Sequence, residues 1–193
     1  MSLDRVASLL AASPAHMDAL RVAALAGPAG GWLAAGFVRN AVWDALSGRA
    51  PDTAYLADLD LVHHAAADPS PLAEARYERA LRAARPLPWS VRNQARMHAR
   101  NGHAPYRSLA EALSHWPETA TAIAVRLVAG RIQVLAPFGV EDLLAMIIRP
   151  GPAHAADPAA PRARLASKGW AARWPGLRVV GLDLRGMPWS PRA

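Results

Sequence analysis

Two aspartates separated by one residue, Asp58-Leu59-Asp60, interrupt an otherwise apolar run from Leu56 to His63. On an extended strand the side chains at i and i+2 leave the same face, so the two carboxylates are expected to point together. Such a pair suits a hard divalent cation that prefers oxygen ligands, such as magnesium. A cation of that kind bridges nucleotide phosphates and neutralises charge developing on them. Upstream, Gly36, Phe37, Arg39 and Asn40 stand where a short apolar segment gives way to a helical one. A glycine at a strand-to-helix turn lets backbone approach a phosphate closely. The helix N-terminus that follows presents unpaired N–H groups and the positive end of the helix dipole. Arg39, in the first turn, can reach a phosphate or brace a carboxylate. A bare Asp-x-Asp is most often a solvated pair; the order glycine, arginine, Asp-x-Asp carries the signal.

Further polar residues fall on segments that can reach such a site. Asn93 and Gln94 suit contact with a base, a ribose or a metal-bound water, or a strand edge that needs capping. Arg92 and Arg96 can hold phosphates, with an ordinary surface role favoured for Arg92. His63, His64, His98 and His103 raise a metal site, but adjacent histidines on a strand face opposite ways, which argues against one. Thr119 and Thr121 alternate on one face of an expected strand and can line the site. Glu141 and Asp142 begin a helix, where acidic groups favour the dipole.

The elements that must position these residues follow from periodicity. Helical apolar spacing covers 3–12 and 15–26, with Ser13-Pro14 starting the second helix. Gly27-Pro28-Ala29-Gly30-Gly31 breaks the chain. Trp32–Ala35 reads as a buried strand, 37–46 as a helix, 56–63 as the acidic strand, 69–84 as a helix and 89–97 as a third strand. A polar loop spans 99–107, and 109–113 is a short helix. Strands over 119–127 and 131–135 flank Ala129-Gly130, a hairpin signal. Residues 140–148 read as a helix, 150–163 as a loose Ala/Pro-rich loop, and 164–173 as a last helix. The expected organisation is N-terminal helices over 1–28 packed on a domain of 29–180, with a tail of 181–193. The fold class is α+β, a small mixed sheet flanked by helices.

Composition bounds the rest. The chain has 193 residues, enough for one domain with a real core. Alanine accounts for 45 residues, so seven tryptophans and the branched aliphatics must supply much of the buried area. No cysteine is present, which excludes disulfides and thiolate metal ligation. No apolar run is long enough for a membrane helix, and Met1–Ala12 does not read as a signal peptide. The expected location is the cytoplasm. Net charge is +7, and all but one of the 22 basic residues are arginine, Lys168 being the exception. This reads as base composition or as attraction to nucleotides and nucleic acid.

The stretch Trp32-Leu33-Ala34-Ala35-Gly36-Phe37-Val38-Arg39-Asn40, with Asp58-Leu59-Asp60-Leu61-Val62, resembles the start of the DNA polymerase beta-like nucleotidyltransferases. It is closest to the pattern of tRNA CCA-adding enzymes. Over about 30–177 the chain resembles a bacterial family of predicted nucleotidyltransferases of unknown substrate. That likeness is carried by Val91–His98, Pro105-Tyr106-x-Ser108, Trp116–Ala122, Ala136–Leu143 and Lys168-Gly169-Trp170 with Trp174-Pro175. The resemblance implies transfer of a nucleoside monophosphate from a triphosphate to an acceptor, with Asp58 and Asp60 holding Mg2+ or Mn2+. It also implies phosphate or nucleotide contacts from Gly36, Phe37, Arg39, Asn40, Asn93 and Arg96. The acceptor it implies is RNA or a small molecule, and no obligate protein partner or membrane is indicated. Three departures stand out. Ala35-Gly36 replaces Gly-Gly or Gly-Ser, Asn40 replaces aspartate, and Ser90 occupies the place of a third carboxylate that helps activate the attacking hydroxyl. The alternative reading is a protein of the same fold that binds nucleotide or RNA without catalysis. A third keeps the fold for protein contacts only.

Overall fold

The computed structural model describes residues 2–185. Its centre is a five-stranded mixed sheet of β1 (Trp32–Ala34), β2 (Leu59–His63), β3 (Trp89–Asn93), β4 (Ala124–Val128) and β5 (Arg131–Leu135). The order across the sheet is β3-β2-β1-β4-β5. Within this sheet only β2 and β3 pair in parallel. Parallel neighbours need a crossover, and helix α4 (Pro71–Ala84) supplies it, started by the Ser70 hydroxyl, which accepts from the Leu72 amide at 3.1 Å.

The two faces of the sheet are treated differently. Leu33, Leu59, Leu61, Trp89, Val91 and Val125 enter the main core, together with Val6 and Leu10 of α1 (Ser2–Ala11) and Leu20 of α2 (Pro14–Ala26). Phe37, Val38, Val42 and Trp43 of α3 (Gly36–Leu46) fill the same core. The other face is thinner. Ala34, Val62 and Ala124 pack against Leu109 and Leu113 of α6 (Leu109–Ser114), with Trp32 and Trp116 beside them. Strand alternation turns Asp60 and its parallel partner Ser90 toward this thinner face.

Several boundaries differ from the sequence reading. The acidic strand begins at Leu59, so Asp58 stands just ahead of it. The third strand stops at Asn93, and α5 (Gln94–Asn101) occupies what read as the end of a strand and the start of a loop. Asn93 explains the switch: its Oδ1 accepts from the Ala95 amide at 3.1 Å, an N-cap, and Gly102 ends the helix at φ 69°. Thr119 and Thr121 lie in a turn that precedes β4. The helix expected over 140–148 shortens to α7 (Glu141–Leu144), because β-branched Ile147 and Ile148 form β6 instead. Strand β6 pairs in parallel with β7 (Arg178–Val179).

The Ala/Pro-rich stretch is not a loose loop throughout. It holds a 3-10 turn at Pro152–His154 and the start of α8 (Ala159–Ser167). The Asp157 carboxylate accepts from the Ala159 amide at 3.1 Å, and Pro161 falls in the first turn, where its missing N–H costs no helical bond. Lys168 and a left-handed Gly169, φ 62°, then separate α8 from α9 (Trp170–Arg173). Of the tail expected over 181–193, residues 186–193 lie outside the described residues.

Candidate functional site

Antiparallel pairing of β1 with β2 matches Trp32 to Val62 and Leu33 to Leu61. The register carries Ala35 and Gly36, at the end of β1, alongside the beginning of β2, where the aspartates sit. The tip of α3 therefore stands beside the acidic pair. Among the described residues no side chain caps that tip. Ala35 holds it in place: its N–H donates to Ile123 O at 3.0 Å, and its carbonyl accepts from the amides of Val38 and Arg39 at 3.2 and 2.9 Å. Its backbone, φ 51° and ψ −118°, is one that alanine rarely adopts. A Cβ at Gly36 would meet nothing closer than 3.7 Å. The fold has room for a side chain there, so the glycine keeps the approach to the helix tip open.

Asp60 is half-buried and Asp58 exposed. Among the described residues neither carboxylate is in an ion pair. Burial, and then the charge of Asp58, push the Asp60 pKa up to about 6, against the opposing pull of Arg92, Arg164 and Lys168. A carboxylate whose ionised form is penalised, with no internal cation bound to it, has capacity for an external one. Two carboxylates match the way magnesium is commonly held, by one or two carboxylates together with substrate phosphates. No group of three or more histidine or acidic side chains is arranged to hold a metal among the described residues. Ser90, at the place of the third carboxylate, is the register partner of Asp60, so β3 brings a hydroxyl there and no charge.

Two cavities of about 220 Å³ flank this pair. One is lined by Gly36, Asn40, Tyr55, Asp58, Lys168 and Arg173 and lies at the tip of α3. The other is lined by Ala35, Asp60, Arg92, Gln94, Trp116 and Arg164, on the thinner face of the sheet. Neighbouring residues, Ala35 with Gly36 and Asp58 with Asp60, divide between them. The acidic pair stands at the boundary between the two cavities.

Arg39 is buried rather than extended toward either carboxylate. Its Nη1 donates to Thr121 Oγ1 at 3.0 Å and its Nη2 to Asn40 Oδ1 at 2.9 Å. Its guanidinium lies 4.5 Å from the Trp170 ring centroid. Burial lowers its pKa to about 10, which leaves it charged at neutral pH. It forms the floor of the α3 cavity and ties α3 to the Thr121 turn. The expected nucleotide ligands Asn93 and Arg96 are committed elsewhere. Asn93 accepts from the amides of Ala65 and Ala95 and donates to the carbonyls of Ala65 and Asp68, which uses its amide fully. Arg96 forms a two-pronged pair with Glu74, at 2.8 and 2.6 Å. The Phe37 ring is core, 4.7 Å from the ring of His16, so only its backbone can face a ligand.

Three of the four candidate histidines are likewise occupied, whereas buried His63 packs edge-on against Tyr77 and its Nε2 has no hydrogen-bond partner among the described residues. His64 and His103 bond to Tyr106, and His98 to Ala95 O. Thr121 lines the Asp60 cavity, whereas Thr119 bonds Asp142 at 2.7 Å, and Asp142 pairs with Arg149. Of the two arginines weighed, Arg92 lines the cavity and Arg96 does not.

Residues 164–174 bring further charged groups to both cavities. Arg164 pairs with buried Glu118 at 2.7 Å and lines the Asp60 cavity. Lys168 and Arg173 line the other. Their signal in the sequence was a sole lysine followed by glycine and then by two tryptophans four apart, a spacing that puts both indoles on one helix face.

A family model described as "Nucleotidyltransferase" matches residues 23–179. An NMR structure described as revealing a CCA-adding enzyme head domain superposes with a TM-score of 0.79 at 30% identity, covering 92% of this chain and 95% of that one. A CCA-adding enzyme in complex with CTP gives 0.57 at 18% identity, covering 93% of this chain and 43% of its own. A CCA-adding enzyme with ATP gives 0.53 at 17%, covering 91% and 42%. The last two likenesses concern the fold, and the chain spans a little over two fifths of those enzymes' length. Among curated proteins none matches the chain.

Proposed function

The chain belongs to the nucleotidyltransferase family, and from that premise we propose that it moves a nucleoside monophosphate from a nucleoside triphosphate to an acceptor hydroxyl, in a reaction that depends on Mg2+ or Mn2+ bound by Asp58 and Asp60. The observation that carries this reading is an acidic pair without internal cation partners beside an uncapped helix tip. When bound, the cation supplies charge neutralisation on the triphosphate. The chain does the rest. The amides at Gly36 and Phe37, with the α3 dipole, receive phosphate oxygens. Asn40 borders the same cavity, and Arg39 fixes its floor. The acceptor oxygen forms a bond to the α-phosphorus, the bond to the β-phosphate bridge breaks, and pyrophosphate leaves. With Ser90 beside Asp60, no carboxylate on β3 takes the acceptor's proton, which in this reading passes to water. The setting this implies is the cytoplasm, where triphosphates are available. The acceptor belongs to RNA or to a small molecule.

Ser90 is also the observation that favours a second reading, in which the fold binds nucleotide or RNA and catalyses nothing. One experiment separates them. The purified protein is incubated with α-labelled triphosphates and Mg2+ or Mn2+, alone, with an RNA pool and with a lysate. Label moved to any of these, and abolished by Asp60→Asn, supports transfer. Nucleotide binding that persists in the Asp58→Asn/Asp60→Asn protein, with no label moved by the wild type, supports the second.

A further inference from the structure

We propose that Lys168 is the ligand of the triphosphate tail, its ammonium group receiving the β- and γ-phosphates in the cavity at the tip of α3. This rests on the nucleotidyl-transfer reading and adds to it a binding residue and a discrimination between triphosphates and monophosphates.

Three observations converge. The first is position. Lys168 lines the cavity that also contains Gly36, Asn40 and Asp58, so it shares with the helix tip the space a phosphate chain would fill. The second is availability. The arginines nearby have partners: Arg92 with Glu78 at 3.0 Å, Arg164 with Glu118 at 2.7 Å, Arg173 with Asp44 at 2.8 Å, and Arg39 with Thr121 and Asn40. Lys168, the sole lysine of the chain, is in no ion pair among the described residues. A compact ammonium on a long stem is a point-charge phosphate ligand, whereas an arginine already held by a carboxylate is not. The third is charge. Arg39, Lys168 and Arg173 line the cavity with one acid, Asp58, so cations outnumber acids around it, which suits an anion.

The lysine is also held in place. Its amide donates to Arg164 O at 2.9 Å, closing α8, and Gly169 then turns at φ 62°. A Cβ at Gly169 would meet nothing within 4 Å, so the backbone angle, not space, favours glycine there. Beyond the turn, Trp170 stacks on Arg39, and Trp174 and Arg173 both bond Asp44 of α3. The strap that carries Lys168 is thus bolted to the helix whose tip borders the same cavity.

The test compares affinity for ATP, CTP and the matching monophosphates, with Mn2+ present, in the wild type, Lys168→Ala and Lys168→Arg. Lys168 is exposed, so neither change threatens the fold. Lys168→Ala should weaken triphosphate binding roughly 10- to 100-fold, the loss of one charge-assisted contact, and leave monophosphate binding within about 2-fold, with Lys168→Arg intermediate. If the wild type discriminates and Lys168→Ala discriminates equally, the assignment of Lys168 is overturned alone. If the wild type binds triphosphate no better than monophosphate, the nucleotidyl-transfer reading falls with it. A second readout needs no variant. Pyridoxal 5′-phosphate condenses with an amine, losing water, and borohydride reduces the imine. Peptide mapping should show Lys168 protected by triphosphate with Mn2+ and not by monophosphate; equal labelling under both overturns the proposal.

Discussion

Asp44 and Asp60 lie on neighbouring elements and are handled in opposite ways. Asp44 is 1% exposed and fully partnered. Arg49 Nε and Trp174 Nε1 donate to one of its oxygens, at 3.3 and 2.8 Å, and Arg173 Nη2 to the other at 2.8 Å. Asp60 is half-buried, is in no ion pair among the described residues, and lies near a second carboxylate. A fold that can surround one acid so thoroughly and leaves another to accumulate unfavourable charge has divided structural from ligand-directed chemistry. The first acid joins α3 to the strap at 168–174, and in the proposed function the second takes its charge from outside the chain.

The sharpest way to break this contrast is Asp44→Ala. It removes a buried acceptor from three donors, of which the Trp174 indole N–H is buried and the two guanidinium groups are part-exposed, and such a loss costs about 3 kcal/mol. Urea unfolding should show that loss; a change near zero would mean the strap is held by the tryptophan packing alone.

Asp60→Asn should move stability the other way. Asp60 has a folded-state pKa of about 6 against an ordinary 3.8, so the folded state binds its proton more tightly than the unfolded one. The resulting stability is fully present below about pH 4 and is lost as pH rises through about 6. In metal-free buffer, Asp60→Asn should therefore be more stable than wild type at pH 7, on the order of 1–2 kcal/mol after allowance for partial exposure. The two should converge near pH 4. A variant weaker than wild type at pH 7 would show that Asp60 is a structural acid after all.

The smallest effect belongs to Ala35, on the ligand-directed side. Its backbone angles cost glycine nothing, so Ala35→Gly should stabilise the protein by about 1 kcal/mol, net of the extra unfolded-state freedom. Thermal denaturation checks it, and destabilisation would mean that the methyl group's packing outweighs the torsional cost.

The glycine at the helix tip, the β1–α3–β2 order and the presence of Asp60 on a strand were legible in the sequence because each is local. A strand-to-helix turn and strand alternation are set within a few residues, whereas Asp58, ahead of the strand, lines a separate cavity from Asp60. What escaped was either a competition between local preferences or a contact far along the chain. Residues 94–97 carry no clear apolar period, and the helix they form is decided by the Asn93 cap, read as a ligand when its amide serves the backbone. Ile147-Ile148 continued a helical stripe, yet their pairing with Arg178-Val179 depends on a strand far along the chain. The contribution of 164–174 was hidden for the same reason. Nothing local to Lys168 says that Asp44, more than a hundred residues earlier, will draw its strap across the tip of α3. Asn93 and Arg96 were singled out by type, but a buried amide and a guanidinium facing Glu74 had nearer claims on them.

The three indoles grouped around α3 give this region its own optical reporter. Trp43 meets Trp174 at 5.2 Å and Trp170 at 6.1 Å between ring centroids, both edge-on, and Trp170 and Trp174 both border the cavity at the helix tip. Indole emission responds to nearby charge and to changes in its surroundings. A polyanion entering that space should therefore alter the intrinsic fluorescence of the unlabelled protein, and titrations can be followed without a dye.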